Sequence, residues 1–394
     1  MERFTCREDK VSVGGALAER ACSVWTLTAG TLATAGIRLQ VLPEQGFKSC
    51  GLRVGKELLQ PEVPVWGREL VEQSAFGTCL LFPTPNRVRD HSFTFQGRRV
   101  EMLKHGKPCT QHGIAMDSLW TVTAAGTDDS SAYIAGMLVI APGDENYRAF
   151  PFPCRVEAAY HLQEGALFFR YRVQNTGETR MPFGIGLHPW FLAPEDLSDT
   201  LLQVCADFCY ETTPDLLPTG RLLDVRKEGG KNLNPWWRLK ELDLDTVYRN
   251  SRLPAKICFG RSGYMLEITA SKEFRHTVVF TPCSRGLILN GKGLFCLETQ
   301  TCCTDAINLW EQGVPDTGLL VLEPGQSQSG WIRYVAALKW RPRFGRADCR
   351  ERIGYEIQDI GNDRRKAVCA DAGHLGHWRH RLGRNLAKPF AGSH

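Results

Sequence analysis

Two side chains able to exchange protons near neutral pH sit inside apolar, strand-like runs. His188 follows Phe183-Gly184-Ile185-Gly186-Leu187, and Glu298 follows Gly293-Leu294-Phe295-Cys296-Leu297. Alternate residues of a strand point to one face, so an imidazole and a carboxylate on two strands can project inward from one sheet and serve one substrate as acid and base. A carboxylate in an otherwise apolar run calls for a partner, because an unpaired buried charge is costly. Pro189 after His188 would, on its own, do no more than end a strand.

The elements that must hold this pair read as strands. Between about residues 10 and 338, apolar and aromatic runs alternate with turn signals: Ala166-Leu167-Phe168-Phe169-Arg170-Tyr171-Arg172-Val173 closes at Gln174-Asn175-Thr176-Gly177. His276-Thr277-Val278-Val279-Phe280 stops at Thr281-Pro282, Gly318-Leu319-Leu320-Val321-Leu322 at Glu323-Pro324-Gly325, and Trp331-Ile332-Arg333-Tyr334-Val335 alternates as a last strand. Long helical periodicity is scarce. The pattern predicts an all-β fold, a large twisted antiparallel β-sandwich with helices confined to short connections.

Composition narrows the class. A chain of 394 residues with 43% hydrophobic content can bury a large core in one domain. The first ten residues are mixed in charge and lack the apolar centre of a signal peptide. The longest apolar run, Ala132 to Ala141, is about half of the ~20 residues a membrane helix needs. A cytoplasmic protein that binds neither membrane nor nucleic acid is the expectation; oligomeric state is not readable. The 15 cysteines are odd in number and lack paired CxxC units with matching histidines, which favours buried free thiols over disulfides or zinc. Of Cys302-Cys303, at most one could reach a pocket shared with Glu298, since adjacent strand residues diverge.

Charge divides the chain. Residues 339–394 carry 13 Lys+Arg against 6 Asp+Glu, a net of +7, which leaves −2 for residues 1–338. That segment also holds four of the ten histidines, among them His374, His377 and His380. A domain over 1–338 with a basic, weakly ordered extension over 339–394 is the expectation.

A series of short motifs then runs in one order: Leu80-Leu81-Phe82-Pro83-Thr84-Pro85-Asn86-Arg87-Val88, Gln111-His112-Gly113-Ile114-Ala115, Gly184-Ile185-Gly186-Leu187-His188-Pro189-Trp190-Phe191 and Leu217-Pro218-Thr219-Gly220. Leu244-Asp245-Thr246-Val247-Tyr248 follows, then Leu297-Glu298-Thr299-Gln300-Thr301 with Thr304-Asp305-Ala306-Ile307-Asn308. In this the chain resembles the aldose 1-epimerase (galactose mutarotase) family over most of residues 45–336. The resemblance implies the galactose mutarotase-like supersandwich, a free sugar bound on its open concave face, and no metal or organic cofactor. It also implies Glu298 as general base, His188 as general acid, and Arg87, His112 and Asp245 as holders of the sugar hydroxyls and ring. Asn86, beside Arg87 at the end of a Pro-containing strand, joins the substrate-binding set.

Interconverting α and β anomers requires a base to take the O1 proton while an acid protonates the ring oxygen and the C1–O5 bond breaks. Rotation about C1–C2 then presents the other carbonyl face, and the pair runs in reverse. A histidine with a reference pKa of ~6.5 suits the acid, while a glutamate at ~4.3 is a weak base unless desolvated. Trp190 or Phe191 can supply an apolar wall, but only one shares the face of His188. Where the family has Ala-Arg after the His-Gly pair, this chain has Ile114-Ala115-Met116-Asp117, so the charge near that subsite must differ. A hexose 6-phosphate mutarotase would need further Arg or Lys converging on the pocket. A silent sugar-binding module would not need the acid/base pair, and a hydrolase would ordinarily need a second carboxylate.

Overall fold

The segments that carry His188, Glu298 and Asp245 are strands, and all find their hydrogen bonds in one large sheet. The computed structural model describes residues 3–15, 18–31, 36–62, 77–109, 111–227, 229–260, 262–281, 288–289 and 292–338. Among them, one antiparallel sheet has 13 strands and another has 9. Among the described residues, helix is limited to short pieces such as Glu145–Ala149 and Ala306–Glu311. The expected β-sandwich is therefore the architecture found.

Six consecutive neighbours in the larger sheet build the site: Thr78–Leu81, Gly186–Pro194, Lys292–Gln300, His276–Thr281, Leu244–Arg249 and Phe208–Thr212. Alternation sends Leu187, Phe191, Ala193, Phe295, Leu297 and Val279 to the main core, with Phe169, Tyr171 and Ile332 of the smaller sheet. The intervening residues Trp190, Leu192, Leu294 and Cys296 form a separate cluster. Both faces of these strands are thus covered. Burying residues of this size stabilises by roughly 1.5–3 kcal/mol each.

The run predicted to lead straight into His188 is divided in two. Met181–Phe183 pairs with Leu320–Leu322, and the histidine strand begins only at Gly186. Between them the Gly184 N–H donates to Pro83 O and the Ile185 N–H to Thr301 Oγ1, partners outside the ladder, so the chain changes sheets there. The apolar run from Ala132 is an ordinary strand, Ala132–Ile140, paired on both sides. No helix among the described residues is long and apolar enough to cross a membrane. The described cysteines are free and mostly buried. Cys302 and Cys303 lie beyond the glutamate strand, both packed with Tyr210, Val247 and Val278. The basic segment 339–394 lies outside the described residues.

Candidate active site

Register brings His188 and Glu298 together. Leu187 pairs with Thr299 and Trp190 with Cys296, which sets His188 across from Glu298 on the adjacent strand. His188 Nε2 lies 3.3 Å from Glu298 Oε1, with both residues buried. On the far side of the carboxylate, Gln300 Nε2 donates to Glu298 Oε2 at 2.7 Å. Gly186, opposite Gln300, makes room for this amide: a Cβ there would lie 2.8 Å from Gln300 Cγ. One carboxylate oxygen is therefore tied back while the other faces the imidazole.

Burial works against the usual proton order of the pair. It pushes Glu298 well above the carboxylate range, and repulsion from Asp245 adds to this, while the Gln300 hydrogen bond and the Arg87 charge pull the other way. It lowers His188 to about 4, aided by the positive charge of buried Lys48. Desolvation disfavours each charged form, so burial shifts the pair away from the ion pair and toward a protonated carboxyl beside a neutral imidazole. The sequence expectation of a histidine titrating near its reference value is corrected by this burial.

A second group of residues is assembled by two loops rather than by the sheet. Phe82 pairs with Gly113, and Arg87 with Gln111, in isolated bridges. Asn86 and His112 both adopt left-handed backbone, φ 64° and 65°. They bind each other reciprocally: the His112 N–H donates to Asn86 O at 2.8 Å, and the Asn86 N–H donates to His112 Nδ1 at 3.3 Å. An acceptor Nδ1 places the proton of the neutral ring on Nε2. Burial, then His188, then Arg87 hold His112 well below its usual pKa, so it stays a neutral donor. Its ring meets His188 edge-on, with centroids 4.9 Å apart. Gly113 is required because a Cβ there would stand 2.2 Å from Phe82 O.

Arg87 Nη1 donates to Asn86 Oδ1 at 3.2 Å. Gln111, with its amide oxygen turned to the guanidinium, accepts from Nη2 at 2.9 Å and from Nε at 3.2 Å. All three guanidinium nitrogens are thereby hydrogen-bonded, and the charge is felt at both Glu298 and His112. Asp117, at the position of the departure, is exposed and paired with Lys104 in a short 3-10 turn. Asp245 is half-buried on the strand Leu244–Arg249, one row along from Glu298, whereas Asp243 precedes that strand and is exposed. Trp190 stacks on His188 at 5.3 Å and 26° and meets Phe280 edge-on, while Phe191 turns to the core with Phe295. All six residues singled out from the sequence thus border one site. Sequence reasoning missed Gln300 beside the pair, the Cys296 thiol that borders the pair without entering its proton transfer, and Phe280. The two-residue period running back and forward from Glu298 was the signal that could have found the first two.

Residues 55–335 match the sequence model of the family described as aldose 1-epimerase. The chain belongs to the aldose 1-epimerase family. The chain is 26% identical over 172 residues to the uncharacterized protein YphB of Escherichia coli (strain K12), 43% of this chain and 54% of that one. It spans about half the length of the curated relatives it matches. Among solved structures, it is similar to a galactose mutarotase-like protein from Clostridium acetobutylicum, with TM-score 0.68, 18% identity, and coverage of 80% of this chain and 96% of that one. It is also similar to the galactose 1-epimerase of Lactobacillus acidophilus, with TM-score 0.65, 15% identity, and coverage of 84% and 99%. At these identities the structural likeness establishes the fold.

The arrangement can take one proton from a bound group and give one to a neighbouring atom. It also offers a planar cation, a neutral imidazole donor and a carboxylate acceptor around them.

Proposed function

We propose that this chain is an aldose 1-epimerase acting on a free hexose of the galactose or glucose type, with Glu298 as base and His188 as acid. The observation that carries the reading is the 3.3 Å approach of His188 Nε2 to Glu298 Oε1 inside a buried row. O1 and O5 of a pyranose are both bonded to C1, so their proton donor and acceptor must face neighbouring atoms, as these two do.

From the ionic form of the pair, Glu298 takes the O1 proton as His188 delivers its proton to O5. The C1–O5 bond breaks and C1 becomes an aldehyde. That step carries the pair from charged to neutral, the form its burial favours, so desolvation drives the transfer itself while making the starting ionic form rarer. Rotation about C1–C2 and the reverse transfers close the ring on the other face. Arg87 and Gln300 supply what the ionised carboxylate needs. Arg87, Asn86, His112 and Asp245 hold hydroxyls, and Trp190 walls the site.

Polarimetry from pure α-D-galactose and α-D-glucose tests the reading. The wild type should exceed the buffer rate, and Glu298→Gln and His188→Asn should each lose about 10²–10⁴-fold. A wild type at the buffer rate on both sugars refutes it, and activity then found only on glucose 6-phosphate would assign the site to phosphorylated sugars.

A further inference from the structure

Cys296 is a side chain of this face that the proton chemistry leaves unused. It lies two residues before Glu298 on the same strand, fully buried, and pairs across to Trp190. Its thiol, a ring nitrogen of His188 and a carboxylate oxygen of Glu298 all lie within 4.8 Å of one another. We propose that these three residues form an inhibitory site for a soft divalent cation, Zn2+ above all, which occupies the acid/base pair in competition with sugar.

Geometry and charge both support the assignment. Tetrahedral zinc with bonds of about 2.0–2.2 Å to nitrogen and oxygen sets those two ligands roughly 3.3–3.5 Å apart. His188 Nε2 and Glu298 Oε1 already stand at 3.3 Å. A Zn–S bond of ~2.3 Å sets the sulfur roughly 3.5–3.7 Å from the other two ligands, within about 1 Å of the 4.8 Å that bounds the present spacing, and a water fills the fourth position. Gln300 holds the second carboxylate oxygen, the kind of outer hydrogen bond that orients a metal ligand. One thiolate, one carboxylate and a neutral imidazole balance a divalent ion to zero net charge, the state a buried site tolerates best. Binding releases the thiol proton and the proton shared by the pair. Sulfur and imidazole select Zn2+ or Cd2+ and reject Mg2+ and Ca2+.

The metal site stands on this geometry; its inhibitory effect rests on the epimerase reading. The test uses the full chain. Zn2+ should suppress mutarotation competitively with galactose and reversibly by chelator, while Mg2+ does nothing. Cys296→Ala should keep its mutarotation and raise the half-inhibiting Zn2+ concentration at least tenfold. Co2+, which absorbs by charge transfer when a thiolate binds it, gives a readout independent of turnover. Its thiolate band should fall in Cys296→Ala and, in the wild type, on saturation with galactose. If Cys296→Ala fails to fold, galactose displacement in the wild type decides. A mutarotating enzyme indifferent to Zn2+, or a thiolate band unmoved by galactose and by the substitution, overturns the proposal. A band that depends on Cys296 in a chain without mutarotation would keep the metal site and sink the epimerase.

Discussion

Replacing Gln300 with Leu tests where the shared proton rests. The amide donates to Glu298 Oε2 at 2.7 Å and stabilises the ionised carboxylate over the acid. A hydrogen bond to a charged group is worth about 1.5–3 kcal/mol, or roughly 1–2 pKa units. With the resting proton on Glu298, losing that bond leaves protonation of His188 untouched and makes the carboxyl harder to ionise. The acid limb of the polarimetric pH–rate profile should therefore stay in place. The alkaline limb, where the pair loses its last proton, should move up by about 1–2 units. At the plateau the charged, reactive form becomes rarer, so the rate should fall about 10–100-fold. If instead the acid limb rises while the plateau holds, the resting pair is the ion pair and the burial argument fails. If neither limb moves, Gln300 does not govern the carboxylate.

Asp245→Asn removes the charge that repels ionised Glu298, so its alkaline limb should shift down, opposite to Gln300→Leu, while KM for sugar rises. Gly113→Ala places a Cβ 2.2 Å from Phe82 O at φ +74°, which should cost at least about 2 kcal/mol and lower Tm by several degrees in a thermal melt. Desolvation lowers His161, His188 and His276 each to about 4. The unfolded chain takes up their protons first, so stability should be full above ~6.5 and fall toward pH 4, by up to ~1.4 kcal/mol per pH unit for each, read from urea midpoints.

The strand plan was legible because prolines and glycines interrupt it: Thr281, before Pro282, does end its strand, and Trp331–Val335 does fall in the last one, Ser327–Leu338. Glu298 and His188 were legible as polar interruptions of apolar runs. Their being neighbours was not, since it depends on which strands pair and in what register. Gln300 and Cys296 escaped for a related reason. With both faces of the glutamate strand buried, the hydropathy alternation that would mark an inward face disappears, and a thiol reads as core. The His112 tautomer was equally hidden, because it follows from a backbone N–H offered by a left-handed loop residue 26 positions away.

The same double burial links fold to chemistry. A sheet with one wet face would leave His188 and Glu298 near their ordinary proton affinities, with histidine the stronger base and the ion pair the resting form. Covering that face with Trp190, Phe280 and the His112 loop pushes against that order, and desolvation is the largest cause at both groups. Both groups then sit on neighbouring strands of a stiff sheet, and only the proton between them has to move. The cost is that the face depends on its cover. Loosening the His112 loop should weaken hydroxyl binding and also readmit water, returning the pair toward its ordinary affinities, so loop variants and sheet variants should differ in pH profile even where their rates agree.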